Sequence, residues 1–169
     1  MLAFRCTQKL RSSLKVTGPP ELPHSSTQLG DWYGNTLFVG RFRYVIFISE
    51  TTMLPVVVAL RESKTIVPRF QVALSEVLEK LQMPPSVVRQ EIDADGGFVF
   101  GPTASRSVVG VLTDLGFLAG VHIESGQCGS LLELSLRLSG VPIGPLKHVF
   151  PDEAVRMRLA PTAPKRARW

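Results

Sequence analysis

Cysteine is scarce in this sequence, and the common motifs that carry chemistry are missing from it. Cys6 and Cys128 are the two cysteines among 169 residues, and neither stands in a C-x-x-C pair. A zinc site or a disulfide framework is therefore not expected, and both side chains are predicted to be buried thiols. The motifs G-x-G-x-x-G, Walker loop, G-x-S-x-G and H-E-x-x-H do not occur either. The sequence predicts no cofactor and no metal.

Long apolar runs are missing as well. The uninterrupted run from Leu54 to Leu60 is far shorter than the ~20 residues that a membrane helix needs. The N-terminus from Met1 to Cys6 lacks the apolar stretch of a lipoprotein signal, and Arg5 directly precedes the cysteine. A cytoplasmic protein without membrane contact is therefore expected.

Positive charge is in excess, but its position argues against a basic binding face. The formal net charge is +5, with six Lys/Arg against two acids in residues 1–43 and five against two in residues 152–169. Residues 44–151 carry eight basic and ten acidic side chains. A face that follows nucleic-acid phosphates draws on the folded body, whereas basic ends also serve as solubilising tails. Nucleic acid therefore stays a possible partner and not the leading one.

Strand signals occur in two groups. Leu2 to Arg5 predicts a short first strand, and residues 32–39 and 43–49 predict a hairpin around Gly40 and Arg41. Residues 44–48 are apolar at every position, which is typical of a strand covered on both faces. Residues 54–60 form a further strand candidate, which Pro55 confines to an edge or a bend. Residues 98–100 predict a last strand after a turn at residues 93–97.

Helix signals are clearest after residue 66. One apolar stripe predicts a long helix; it comprises Val67, Phe70, Leu74, Val77, Leu78 and Leu81. Thr7 is the predicted N-cap of a short helix to residue 15, and short helices are also expected at residues 86–91 and around Leu131 to Leu138. A helix over residues 105–124 would carry Gly110, Gly116 and Gly120. Glycine lowers the stability of a helix, so its repeated use there suggests that another backbone or a ligand packs closely against this helix.

The order of these elements predicts the fold class. Grouped strands followed by grouped helices favour an α+β protein over alternating βαβ units. We expect a small, mainly antiparallel sheet with a β-hairpin, packed by three to five helices, with residues 1–160 as a single globular domain. Residues 161–169 contain two prolines, three basic residues and no apolar periodicity, so they are expected to form a flexible basic tail.

Polar side chains at the ends of the apolar segments are the candidates for a binding site. On a helix, residues 106, 110 and 114 fall roughly on one line, so a glycine gap would separate two opposite charges. Such a gap could hold a small polar ligand, and we expect Asp31 to join Arg106 and Asp114 in one network. The alternative is a purely structural network around the sheet. The candidate ligand-binding residues are Asp31, Trp32, Glu50, Thr52, Arg106, Ser107 and Asp114.

Four segments also carry a resemblance. Residues 5–10, 29–35, 47–54 and 105–115 together resemble a family of small bacterial hypothetical proteins known only as a domain of unknown function. The likeness covers most of residues 1–150. The family pattern has an asparagine where this chain has Ser49 and another where it has Thr113, so two amides are replaced by hydroxyls. The resemblance implies a self-contained domain and carries no activity.

Three functions remain open from the sequence. The leading one is a noncatalytic binding or regulatory module for a protein partner or a small polar ligand, because no activated nucleophile or phosphate loop is present. The second is a small hydrolase or transferase that uses Asp31, Glu50 or Asp114 as acid or base and Arg106 for an anion. The third is a nucleic-acid accessory protein with Trp32 and Trp169 as stacking surfaces.

Overall fold

One five-stranded sheet organises the protein, with the strand order β4-β3-β2-β1-β5 in a computed structural model. The structure describes residues 1–93, 95–147 and 149–162. The strands are β1 (Leu2–Cys6), β2 (Trp32–Val39), β3 (Phe42–Ser49), β4 (Pro55–Ala59) and β5 (Phe98–Pro102). The fold is α+β, and all five predicted strands are confirmed.

The sheet is mixed, which corrects the expectation of a mainly antiparallel one. The hairpin joins β2 to β3, and β3 continues into β4, so these two pairings are antiparallel. In contrast, β1 pairs in parallel with both β2 and β5. A parallel pairing needs a long connection that returns the chain to the same end of the sheet. The helices and loops between these strands supply such connections.

Six α-helices lie in the described part of the chain, whereas the sequence predicted three to five. Their bounds are α1 (Gln8–Leu14), α2 (Ile66–Lys80), α3 (Pro85–Ile92), α4 (Arg106–Ser125), α5 (Leu131–Leu138) and α6 (Pro151–Leu159). Thr7 caps α1 by accepting from the Leu10 N–H group, and Ser105 caps α4 in the same way through Val108. The sequence missed α6 because four charged residues interrupt its apolar positions. Residues 163–169 of the expected basic tail lie outside the described residues.

The first core lies between one face of the sheet and α2. Alternate residues of β1 and β3 point into it, and the predicted stripe on α2 is buried against them. Phe70 is at the centre, because its ring lies 5.1 Å from that of Phe4, 4.8 Å from that of Trp32 and 5.0 Å from that of Phe47. The prediction of one core-facing helix stripe is therefore confirmed.

The second core lies on the opposite face, under α4 and α5. Ile46 and Ile48 of β3 point into it, whereas Val45 and Phe47 point into the first core, so β3 is covered on both faces as predicted. The glycines of α4 do not mark a close approach. A Cβ atom at Gly116 would lie 3.8 Å from Ile46, which is an ordinary contact, and Gly110 faces open space.

The sheet edge at β4 is partly closed by α5. Pro55 begins this edge strand, in agreement with the expectation from its missing N–H group. The outward N–H group of Val57 donates to Ser135 Oγ of α5 at 3.0 Å. The Ser135 side chain thus accepts a hydrogen bond from a backbone N–H group that has no partner strand on this side of the sheet.

Helix α4 is long and apolar enough, by length and composition, to cross a membrane. Its buried residues pack on the sheet, whereas Phe117 and Val121 are exposed. A core helix of a soluble protein passes the same test, so this is weak support for a membrane span. The packing on β2 and β3 is consistent with a soluble protein.

Replacing Leu74 by alanine is expected to lower the free energy of unfolding by about 2–5 kcal/mol. Leu74 is completely buried on α2, so the substitution removes apolar burial and leaves a cavity. Chemical denaturation measures the change. Val72→Ala is the matched control, because Val72 lies on the same helix with 59% of its surface exposed and should change stability by less than about 0.5 kcal/mol. An equally small effect for Leu74 would contradict the core position.

Candidate functional site

A buried ion pair joins the first two strands. Arg5 lies near the end of β1, beside Tyr33 of β2, and its Nε atom donates to Asp31 Oδ2 at 2.7 Å. The Arg5 side chain is 10% exposed and that of Asp31 is completely buried. Removing two charges from water is costly unless they are well paired. Because Asp31 directly precedes β2, this pair fixes the entry of that strand against β1.

Asp31 is held by three donors. The Ser25 N–H group donates to its Oδ1 at 2.7 Å, and His24 Nδ1 lies 3.0 Å from the same Oδ2 that Arg5 contacts. Burial acts to raise the pKa of the Asp31 carboxyl group. The hydrogen bonds from Ser25, Arg5 and His24, with the Arg5 charge, outweigh burial and hold the pKa below its ordinary value. Asp31 is therefore ionised at neutral pH.

Glu50 completes a cluster with His24 and Asp31. One potential ligand atom from each of these three side chains lies within 4.8 Å of the other two. The backbone ties Glu50 to the site, since its N–H group donates to the Asp31 carbonyl oxygen at 2.8 Å. Within the described residues, the Glu50 carboxylate makes no hydrogen bond or ion pair. His24 is 77% exposed, so the cluster lies at the surface although Asp31 is buried.

Tyr33 connects the cluster to the N-terminus of α4. Its hydroxyl oxygen accepts from the Ser105 N–H group at 3.2 Å. Burial raises the pKa of Tyr33, and the hydrogen bond from Ser105 partly opposes this rise. The negative charge of Glu50 raises the pKa further, whereas the positive charge of Arg5 lowers it. Both charges therefore act on this hydroxyl group. The site lies where the loop before β2, the turn after β3 and the start of α4 meet.

The loop before β2 is fixed by groups outside the cluster. Glu91 of α3 is buried and accepts from the N–H groups of Gln28 and Leu29, both at 3.0 Å. Burial raises the pKa of Glu91, and these two hydrogen bonds partly offset the rise. Ser49 Oγ donates to the Leu29 carbonyl oxygen at 2.6 Å. The loop that carries His24 and Asp31 is thus held at its base from two sides.

The comparisons with known proteins agree with the sequence resemblance. A family model described as a domain of unknown function, DUF6933, matches residues 3–154. The chain belongs to the DUF6933 family. No curated protein and no solved structure matches it. Every residue of the cluster lies inside the matched range.

Of the predicted site residues in this DUF6933 protein, the structure brings two together. Asp31 and Glu50 share the cluster, but Trp32 does not, because its side chain points to the opposite face of the sheet and is completely buried beside Phe70. The expected role of Trp32 as a stacking surface is therefore wrong, and Trp169 lies outside the described residues. Thr52 is buried and donates to Ser49 Oγ at 3.0 Å, so it supports the turn after β3.

The expected network of Asp31 with Arg106 and Asp114 is wrong. Both helix residues are exposed, and neither makes an ion pair or side-chain hydrogen bond within the part of the chain that the structure describes. Asp31 is paired with Arg5 instead. Ser107 is also exposed in the first turn of α4. The buried stripe of α4 faces the sheet, which turns the line through residues 106, 110 and 114 towards solvent.

The sequence analysis missed His24, and it did not place Arg5 and Tyr33 in the site. His24 lies in a proline-rich loop without periodicity, and the gaps to Asp31 and Glu50 match no standard ligand spacing. The signal for Arg5 was stronger, because a charged residue in an otherwise apolar strand needs a buried partner. Ser49, at the end of β3, donates to the Leu29 carbonyl oxygen, so its side chain makes a structural contact.

The two cysteines are free thiols. Burial raises the pKa of Cys6 to about 12, with only a partial opposing effect of the Arg11 charge. The thiol is therefore neutral at physiological pH and a poor nucleophile. Cys128 is half-buried, which corrects the expectation that both thiols are fully buried.

Two surface cavities are lined by residues outside the cluster. A groove of about 510 Å³ runs between β4, α2 and α5, and one of about 340 Å³ lies between the turn after β3 and α6. Neither is lined by His24, Asp31 or Glu50. What the cluster offers chemically is a surface-accessible set of one imidazole and two carboxylates, backed by a buried guanidinium group.

Proposed function

We propose that this chain is a noncatalytic binding or regulatory module whose site is the cluster of His24, Asp31 and Glu50. The observation that carries the proposal is the convergence of three potential ligand atoms within 4.8 Å. One of them belongs to the Glu50 carboxylate, which has no partner among the described residues. The described residues hold the backbone of Glu50 in place but leave its carboxylate without a partner, so this side chain is available to a ligand.

The charges of the site select the kind of ligand. Arg5 neutralises Asp31, which leaves the cluster with the negative charge of Glu50 when the imidazole is neutral. A ligand that is cationic or donates hydrogen bonds therefore fits better than an anion. His24 is on the surface side of the cluster, so a small polar ligand reaches the carboxylates without a rearrangement of the core. We further propose a cytoplasmic location, which the two free thiols support.

The test uses three backbone N–H groups that donate to Asp31 or to Tyr33. In the presence of a chelator, small amines, amino acids and polyols are added to ¹⁵N-labelled protein, and amide spectra are recorded. A ligand is expected to shift the signals of Ser25, Glu50 and Ser105. Glu50→Gln should weaken this binding, whereas Glu79→Gln, an exposed glutamate of α2, should not. If no compound moves these three signals, the proposal is wrong for organic ligands.

One contact favours a second candidate, a small hydrolase or transferase. A buried ionised carboxylate bonded to the imidazole of an exposed histidine is the arrangement that orients a general base, and His24 and Asp31 are 3.0 Å apart. Ester and phosphate-ester substrates would be screened for turnover. Activity lost in His24→Ala but kept in His122→Ala would favour the enzyme over the binding module.

A further inference from the structure

We infer that His24, Asp31 and Glu50 bind one divalent transition-metal ion. This inference rests on the binding function proposed above and names its ligand class. It goes beyond the sequence, which predicts no metal because the three residues follow no ligand-spacing motif. The arguments are the distances between the donor atoms, the contacts that fix them, the charge of the site and the identity of the donors.

The donor atoms are already close to the spacing that a metal requires. Metal–ligand bonds of about 2.0–2.2 Å place neighbouring ligand atoms roughly 3.0–3.5 Å apart. His24 Nδ1 and Asp31 Oδ2 are 3.0 Å apart, and all three donor atoms lie within 4.8 Å of one another. Closing the remaining distance to Glu50 requires a change in its side-chain torsions. The ion would replace the hydrogen bond between His24 and Asp31, and the neutral ring would then keep its proton on the other nitrogen.

The carboxylate of Asp31 is oriented in the way metal sites orient their ligands. Partners outside the donor set commonly fix ligating carboxylates by hydrogen bonds. Here the Ser25 N–H group holds Oδ1 at 2.7 Å and Arg5 holds Oδ2 at 2.7 Å. A carboxylate oxygen has two lone pairs, so Oδ2 keeps one for an ion after Arg5 has taken the other. Glu50 is held near by its backbone bond to the Asp31 carbonyl.

The charge of the site also favours a cation. Two carboxylates approach each other at the cluster, and Arg5 compensates only one of them. A divalent ion between His24 and Glu50 would relieve the repulsion and give Glu50 the partner that it lacks in the described structure. Arg5 lowers the affinity of the site for a cation, so we expect a metal that also gains from bonding to nitrogen.

The donor identities narrow the metal. One imidazole nitrogen with two carboxylate oxygens suits Zn²⁺, Mn²⁺, Co²⁺ or Fe²⁺, whereas Ca²⁺ and Mg²⁺ prefer oxygen ligands alone. Three protein donors also leave at least one coordination position open. Because His24 is on the exposed side, that position faces solvent, where water or a small molecule can occupy it.

The test titrates chelator-treated protein with Zn²⁺, Mn²⁺ and Co²⁺ by calorimetry, with Mg²⁺ and Ca²⁺ as comparisons. We expect one transition-metal ion per chain and binding at least about tenfold weaker in His24→Ala and in Glu50→Gln. His122→Ala and Glu79→Gln are the controls, because both residues lie away from the cluster. Mn²⁺ should broaden the ring signals of His24 and leave those of His122 sharp.

The outcomes separate the metal from the proposed binding function. Equal Zn²⁺ affinity in His24→Ala, Glu50→Gln and the controls would overturn the metal site, as would binding of Mg²⁺ or Ca²⁺ at the same strength. If organic ligands shift the Ser25 and Ser105 amides in chelator but no metal binds, the metal inference fails and the binding module stands. If neither metals nor organic ligands bind, both are wrong. His24 and Glu50 are not core residues, so their variants should remain folded.

Discussion

Replacing Asp31 by alanine is expected to lower the free energy of unfolding by about 3–5 kcal/mol, the usual cost of breaking a buried ion pair. The substitution leaves the Arg5 guanidinium group buried without a counter-charge and removes the acceptor of the Ser25 N–H group. It also frees the loop before β2 from the end of β1. The effect should therefore be far larger than that of an exposed aspartate.

Urea denaturation monitored by circular dichroism measures this change. Asp114→Ala is the matched control, because Asp114 is exposed on α4, and it should change stability by less than about 0.5 kcal/mol. Adding Arg5→Met to Asp31→Ala should recover part of the loss, since no unpaired charge then remains buried. Additive effects of the Arg5 and Asp31 substitutions would contradict the pairing.

The pH dependence of stability provides a second test of the ion pair between Arg5 and Asp31. The pKa of Asp31 is lowered in the folded state from an unfolded value near 3.8. Its stabilising contribution is therefore complete above pH 3.8 and is lost as the pH falls through the lower folded value. The stability difference between the wild-type protein and Asp31→Asn should stay constant from neutral pH to about this point and shrink in stronger acid.

Replacing Phe70 by alanine is expected to cost about 3–5 kcal/mol, because it empties the centre of the first core. Phe70 is completely buried, and its ring meets three other aromatic rings at centroid distances of 4.8 to 5.1 Å. These edge-to-face contacts add to the loss of apolar burial. The rings come from β1, β2 and β3, so one substitution weakens the packing of α2 on three strands.

The matched control for this substitution is Phe117→Ala. Phe117 is also a helical phenylalanine, but it is 72% exposed on α4. Thermal and urea unfolding should show a large loss for Phe70→Ala and a change below about 0.5 kcal/mol for Phe117→Ala. Similar values for the two variants would mean that α2 does not pack on the sheet as described.

Local patterns predicted the elements well. The α2 stripe is a 3.6-residue pattern, and the hairpin combines β-branched and aromatic residues with a glycine at the turn, so short-range physics determines both. The pairing of β1 with β5 could not be predicted in this way. It joins residues far apart in sequence, and an apolar strand such as residues 2–6 fits a parallel or an antiparallel neighbour equally well.

The candidate site was predicted only in part, for two different reasons. Asp31 and Glu50 could be recognised as acids beside strands. His24 could not be placed without knowing the path of the loop before β2, and an irregular loop has no sequence period from which that path could be predicted. Arg106 and Asp114 were placed wrongly although the signal was present. The apolar residues Val108, Leu112 and Leu115 define the buried side of α4, and residues 106, 110 and 114 fall on the other side of the same helix.

The position of β1 in the sheet has a consequence for how the chain folds. Leu2 pairs with Phe98, whereas β2, β3 and β4 are neighbours in sequence and form a local meander. On the ribosome, the meander can therefore form long before the last partner of the first strand has been synthesised. Until then one side of β1 is an open row of backbone donors and acceptors, and contacts of such long range close slowly. The interval in which the growing chain is exposed to wrong strand pairing ends only when β5 arrives.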